Sequence, residues 1–117
     1  MTNKELQALR KLFFLSTAEA AEHIGGVSIR SWQHWEAGRY NVPDDVSVKM
    51  DALADRRLNM IGTCEDVMSE HDLVTDIDYD LSFESYKDRH KGSSVIDWRL
   101  AQSVSAYFLG KRTANLK

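Results

Sequence analysis

STAEAAEHIGGVSIRSWQHWEAGRYNVP, residues 16–43, reads as two short helices joined by a tight turn, and the rest of the chain makes most sense as support for them. Ser16 and Glu19 stand at the spacing of a capping box. The hydroxyl accepts the amide of the third helical residue and the glutamate returns to the serine N–H, so a helix starts here. Ala18, Ala20, Ala21 and Ile24 give that helix a face of small side chains that lets another helix come close, and Gly25-Gly26 offers the positive φ that ends it. Ser28 is a good N-cap for a second helix. In it Ile29, Trp32 and Trp35 recur every three residues as a core-facing stripe, while Arg30, Ser31, Gln33 and His34 face elsewhere. Gly38 sits where a left-handed residue closes such a helix.

Upstream, Thr2 and Glu5 repeat the capping-box spacing and open a helix with the apolar stripe Leu6, Leu9, Leu12 and Phe13, ending near Phe14. Leu15, one residue before the Ser16 cap, is placed as a hydrophobic staple. Downstream, Arg39-Tyr40-Asn41-Val42 is a loop. Pro43, Asp44 and Asp45 then mark the start of a fourth helix, with proline in its first turn and carboxylates at the positive end of its dipole. Val46, Met50, Leu53, Leu58, Ile61, Cys64 and Met68 keep helical spacing, with Gly62 as a place where the helix could kink or divide. The pattern then turns to alternation. Leu73, Thr75, Ile77, Tyr79, Leu81 and Phe83 interleave with Val74, Asp76, Asp78, Asp80 and Ser82, which predicts a strand with one apolar and one acidic face, in need of a partner. A short helix over 82–90 ended by Gly92, a final helix capped by Ser94 and Asp97 with Gly110 beyond it, and a fragment of strand in the tail complete the chain.

A chain of 117 residues can bury one modest core, and 43% apolar with 28% charged residues and a single proline is the composition of a folded, helix-rich protein. The net charge of −3 is not the footprint of a non-specific nucleic-acid binder. The acids are unevenly placed, however: residues 1–57 carry eight bases and eight acids, so the deficit lies in the second half. The lone Cys64 excludes an internal disulfide and a multi-cysteine zinc site and fits a reducing cytoplasm. MTNKELQAL has no long apolar run, so neither a signal peptide nor a membrane span is expected. His23, His34, His71 and His90 lack zinc spacing to one another and to Cys64. Asp76-x-Asp78-x-Asp80 begins like a calcium loop, but Leu81 and Lys87 stand where that loop needs glycine and glutamate. With no nucleophile elbow, phosphate loop or dinucleotide fingerprint, the sequence predicts no enzyme, no catalytic residue, no metal site and no cofactor.

Two helices of about two turns around a glycine-containing turn, the second carrying groups that bond base edges, match the DNA-binding helix-turn-helix in pattern. From Leu9 to about Leu53 the chain resembles the lambda-repressor-like (XRE-type) fold, on Leu9-Arg10, Ala21 and Val27-Ser28-x-x-Ser31-Trp32-x-x-Trp35-Glu36-x-Gly38. Gly25-Gly26-Val27 makes the turn one residue longer than the commonest version. The resemblance implies an ion pair between Arg10 and Glu36, joining the first helix to the end of the third. Over nearly the whole chain, the opening MTNKELQALRKLFFLSTAEAAEHIGG and the stretch Val95-Ile96-Asp97-Trp98-Arg99-Leu100-Ala101-Gln102-Ser103 resemble the anti-CRISPR-associated regulators and their bacterial homologues. That likeness implies a dimeric DNA-binding autorepressor whose C-terminal part holds two subunits together.

The expected fold is therefore mainly α. It is a lambda-repressor-like helix-turn-helix bundle with a small C-terminal region of helix and short strand, divided into a DNA-binding domain over 1–70 and a dimerisation region over 71–117. The expected function is a sequence-specific transcriptional repressor, autoregulatory, that binds an inverted-repeat operator in double-stranded DNA as a homodimer. Arg30 can pair bidentately with guanine O6 and N7, or else forms a surface ion pair. Gln33 and His34 both suit base edges, and Ser31 is either a groove-floor contact or a filler of close helix packing. Ser16 and Thr17 at the start of the second helix, Ser28 at the cap of the third, and Arg39, Tyr40 and Asn41 after it occupy places where this fold touches DNA, phosphates above all; solvated loop is the plain alternative. Trp32 and Trp35 are scaffold. The alternative function is a protein-interaction module, an antitoxin or adaptor, that keeps the fold and binds a polypeptide through its acidic C-terminal half.

Overall fold

In the computed structural model, which describes residues 1–69 and 74–117, the Thr2 hydroxyl accepts the Glu5 N–H at 3.1 Å and the Glu5 carboxylate accepts the Thr2 N–H at 2.8 Å. Helix α1 (Asn3–Leu12) starts from this box. It ends with the Leu15 N–H on the Arg10 carbonyl and the Phe14 N–H on the Lys11 carbonyl. Phe14, at φ 64°, holds the left-handed position that glycine usually takes. Leu12, read as part of the core stripe, is 43% exposed, while Leu6, Phe13 and Leu15 are buried.

Helix α2 (Thr17–Ala20), capped reciprocally by Ser16 and Glu19, passes directly into a π turn (Ala21–Gly25). The Val27 N–H reaches back to the Ala21 carbonyl at 3.0 Å. A π turn carries one residue more than an α turn, so the extra residue of the Gly25-Gly26-Val27 turn is wound into the end of this helix. Only Gly26 takes a positive φ, at 61°. Gly25 is there for space: a Cβ would meet Val27 Cγ2 at 3.0 Å and the Trp32 and Trp35 rings at 3.2 Å. Helix α3 (Ile29–Glu36) follows, capped by Ser28, and closes on Gly38 at φ 78°. It lies against α1, α2 and the π turn.

Helix α4 (Asp44–Met68) begins directly after Pro43 and continues through Gly62 without a break. The chain divides into two compact units, Met1–Asp55 and Arg56–Lys117. In the first, Trp32, Val46, Met50 and Ile24 join the buried set. In the second, the core is Ile61, Val104, Phe108 and Ala114, with Met60, Cys64, Met68 and Ile77 packed on it.

Strand β1 (Thr75–Ile77) pairs in parallel with β2 (Ala114–Leu116), in the register Thr75 to Ala114, Asp76 to Asn115 and Ile77 to Leu116. The strand is thus far shorter than the alternation over 73–83 predicts, and its partner is the chain's own tail. Leu73, its expected first residue, lies outside the described residues, as do His71 and the expected boundary at 70/71. The backbone pairing runs on past Ile77, whose carbonyl accepts the Lys117 N–H at 2.9 Å, to Tyr79, whose N–H donates to the Lys117 carbonyl at 3.0 Å. The carbonyls on the other edge of this stretch are taken by side chains of helix α6 (Val95–Gly110): Ser105 donates to the Asp78 carbonyl, and Trp98 and Gln102 both donate to that of Asp80. On the acidic face Asp76 and Asp78 are exposed, and the Asp78 and Asp80 carboxylates both pair with Arg89 of α5 (Phe83–Arg89).

Helix α6 includes Gly110 as its last residue, and the left-handed position beyond it is held by Arg112 at φ 69°. Trp98, Leu100, Val104 and Phe108 are buried within the single chain, so the apolar surplus that the sequence assigned to a second subunit is largely used by the chain itself. Among the described residues no helix is long and apolar enough to cross a membrane.

Candidate nucleic-acid interface

Glu36, the last residue of α3, fixes that helix to α1. The Arg10 guanidinium grips it bidentately, Nε to Oε2 at 2.6 Å and Nη2 to Oε1 at 3.0 Å, and spends its third edge on the Leu15 carbonyl at 3.1 Å. The Trp32 indole N–H also donates to Oε2 at 2.5 Å, and Asn3 Nδ2 donates to the Glu36 backbone carbonyl at 3.1 Å. The Arg10 and Glu36 side chains are only 11% and 9% exposed. Burial alone would raise the Glu36 carboxyl, but the hydrogen bonds from Arg10 and Trp32 and the Arg10 charge hold it below the ordinary glutamate range. The pair implied by the resemblance is present and is part of the scaffold.

With that edge held, the orientation of α3 follows from its period. Trp32 is fully buried and Trp35 half-buried beside it, their rings 5.5 Å apart. At about 100° per residue Arg30, Gln33 and Ala37 lie on the side away from the tryptophans and Ile29 on the flank beside Gln33, and all four are exposed. Ser31 falls on the inner side. It is half-buried, its N–H donates to Ser28 Oγ at 3.1 Å, and its hydroxyl accepts from the same serine, which makes it a partner in the cap. His34 is half-buried too, with its ring edge-on to Tyr40 at 5.5 Å. Of the two base-edge candidates, Gln33 is the one that stands free on the outer face.

The flanks are built from helix ends. Ser16 is exposed at the cap of α2, with Thr17 half-buried after it, and Ser28 is exposed at the cap of α3. After α3 the Arg39 N–H returns to the His34 carbonyl at 3.0 Å, and Arg39, Tyr40 and Asn41 project from the loop, Tyr40 at 65% exposure. One candidate escaped the sequence reading. Ile29, counted with the tryptophans every three residues, is 47% exposed. The signal was there in the four-residue spacing to Gln33, which puts both side chains on one strip of the helix. The site offers the five donors of Arg30, the donor-acceptor amide of Gln33 and an apolar side chain, which suits recognition rather than bond-making. Cys64, the lone thiol, belongs to the other unit, where burial pushes it up and away from the reactive thiolate.

Against known proteins, the family model described as Aca2/YdiL-like matches residues 1–115. The Aca2 repressor of Pectobacterium phage ZF40 is 45% identical over 116 residues, covering 99% of this chain and 99% of that protein. The uncharacterized protein YdiL of Escherichia coli (strain K12) is 26% identical over 107 residues, covering 91% of each.

Proposed function

The chain belongs to the Aca2/YdiL-like family, and from that premise we propose that it is an autoregulatory transcriptional repressor, binding an inverted-repeat operator in double-stranded DNA as a homodimer. The observation that carries this reading is the outer face of α3, where Arg30 and Gln33 stand exposed on a helix whose inner face is locked by Trp32 and the Arg10–Glu36 pair. The name repressor borne by the phage relative supports it. In this reading α3 enters the major groove. Arg30 pairs with guanine O6 and N7 and Gln33 with adenine N6 and N7. Ser16, Thr17, Ser28, Arg39, Tyr40 and Asn41 hold the register on the phosphates, with Ser31 and His34 supporting the cap and the loop. Residues 1–70 form the reading head and 71–117 the region that pairs two subunits. Repression is by occupancy, with no chemical step and no cofactor, in the cytoplasm.

Selection from a random duplex pool tests it. The expected outcome is a two-fold symmetric site, bound at least a thousandfold more tightly than scrambled duplex. The even balance of eight bases and eight acids in residues 1–57 favours a second reading, a protein-interaction module that keeps the fold. A pool from which the protein enriches nothing decides for that one.

A further inference from the structure

Ile29 stands on the exposed flank of α3, next to Arg30 and one turn before Gln33, and its side chain can form no hydrogen bond. Its exposure serves no packing need. The hydrophobic contact expected across the start of a helix joins the residue before the cap to the fourth helical residue. Here those positions are Val27 and Trp32, and their side chains already converge on Gly25. A branched aliphatic side chain in the first turn, 47% open to water, is also not what helix propensity would choose, since alanine, glutamate or lysine each form helix more readily. The floor of the major groove offers one apolar group to such a side chain, the 5-methyl of thymine.

We infer that Ile29 is a specificity-determining residue that reads a thymine methyl group, next to the base that Gln33 reads. The inference rests on the DNA-binding function proposed above and adds the base that the apolar residue selects. Ile29 and Gln33 lie one turn apart on the same strip, so the selected site carries an A·T pair at or beside the base pair that Gln33 contacts. Neither amide nor guanidinium discriminates a methyl group. Without Ile29 the head distinguishes thymine only through its O4 acceptor.

The test replaces thymines one at a time by deoxyuridine, which removes the methyl and keeps every hydrogen-bonding atom, in the duplex that the full-length protein enriches from a random pool. Wild type is expected to lose about fourfold in affinity at one thymine of each half-site, the worth of one buried methyl group. Ile29→Ala is expected to bind the thymine duplex more weakly and to be indifferent to that replacement. Ile29→Val retains the sensitivity, and Arg30→Ala loses affinity while keeping it. The residue is exposed, and circular dichroism of each variant checks that the fold is intact. Wild type indifferent to deoxyuridine at every thymine, or Ile29→Ala as sensitive as wild type, overturns the assignment while leaving DNA binding in place. Failure to enrich any duplex overturns the DNA-binding reading itself, and the assignment with it.

Discussion

Glu36 accepts two hydrogen bonds from one cation and a third from an indole, in a place where neither ion is open to water. Glu36→Ala strands the guanidinium and the indole N–H together, and loss of one member of a buried pair costs about 3 kcal/mol or more. Thermal unfolding is expected to register that loss; a melting temperature equal to wild type would remove the pair from the scaffold. The folded carboxyl is held below its ordinary range, so its contribution is complete above about pH 4.3, the value for a free glutamate, and fades as pH falls towards the folded value. Wild type should therefore lose stability more steeply than Glu36→Gln on acidification below that point. On the proposed interface Arg30 of α3 and Arg39 of the following loop are expected to differ in role. Arg30→Ala should weaken the selected duplex by about 1–3 kcal/mol and relax preference at one base pair per half-site, whereas Arg39→Ala should weaken all duplexes alike and lower the salt slope by about 1. Equal losses on selected and scrambled DNA for both variants would make Arg30 a phosphate contact. Much at this scale was legible: Arg10 and Glu36 through their place in a known pattern, and Arg30 and Gln33 through polarity opposite two tryptophans. Ile29 was legible only through its four-residue spacing to Gln33, because apolar character alone does not say which side of a helix a residue takes.

Helix starts were readable because a cap is made within four residues. Thr2, Ser16, Ser28, Ser82 and Ser94 all accept the amide three positions on. Helix ends were readable in place, α1 near Phe14 and α3 at Gly38, but not always in the kind of residue that takes the left-handed position. Gly38 closes α3 as its position predicts, but α1 and α6 end on Phe14 and Arg112, ordinary residues held at positive φ by the bonds that close the last turn. The left-handed conformation costs an L-residue about 1–2 kcal/mol. The exposed Arg112 is the place to relieve it. Arg112→Gly should raise stability by about 1 kcal/mol in denaturant titration, while Arg112→Ala, with the same Cβ, should not; an equal gain from both would point to the side chain instead. The π turn and the short strand lay beyond sequence reading because distant groups decide them. Gly25 answers to Trp32 and Trp35 across the turn, and the segment after Ile77 is held on one edge by Lys117 and on the other by donors on α6.

On the proposed function one short recognition helix would read only a few base pairs, and a head with balanced charge would gain little from counterion release, so the proposal calls for two heads. With Trp98, Leu100, Val104 and Phe108 of α6 already buried, the large apolar side chains left exposed among the described residues of the second unit are Leu58, Val67, Val74, Leu81, Tyr107 and Leu109. Sedimentation velocity at micromolar concentration is expected to give twice the chain mass of 13.4 kDa, and a species of the chain mass alone would sink the homodimer. The two units also differ in how their contacts are spaced along the chain. In the first, α2, the π turn and α3 meet one another within a few residues along the chain, and α3 reaches back to α1 through Glu36. In the second, the register binds Thr75 to Ala114 with two whole helices between, and closing so long a stretch demands entropy before any bond repays it. Each unit carries its own fluorophore, Trp32 and Trp35 in one and Trp98 in the other. The longer closure in the second unit predicts a kinetic order, read by stopped-flow refolding of single-tryptophan variants: the Trp32 and Trp35 signals on the faster phase and the Trp98 signal on the slower one, with coincident phases overturning it.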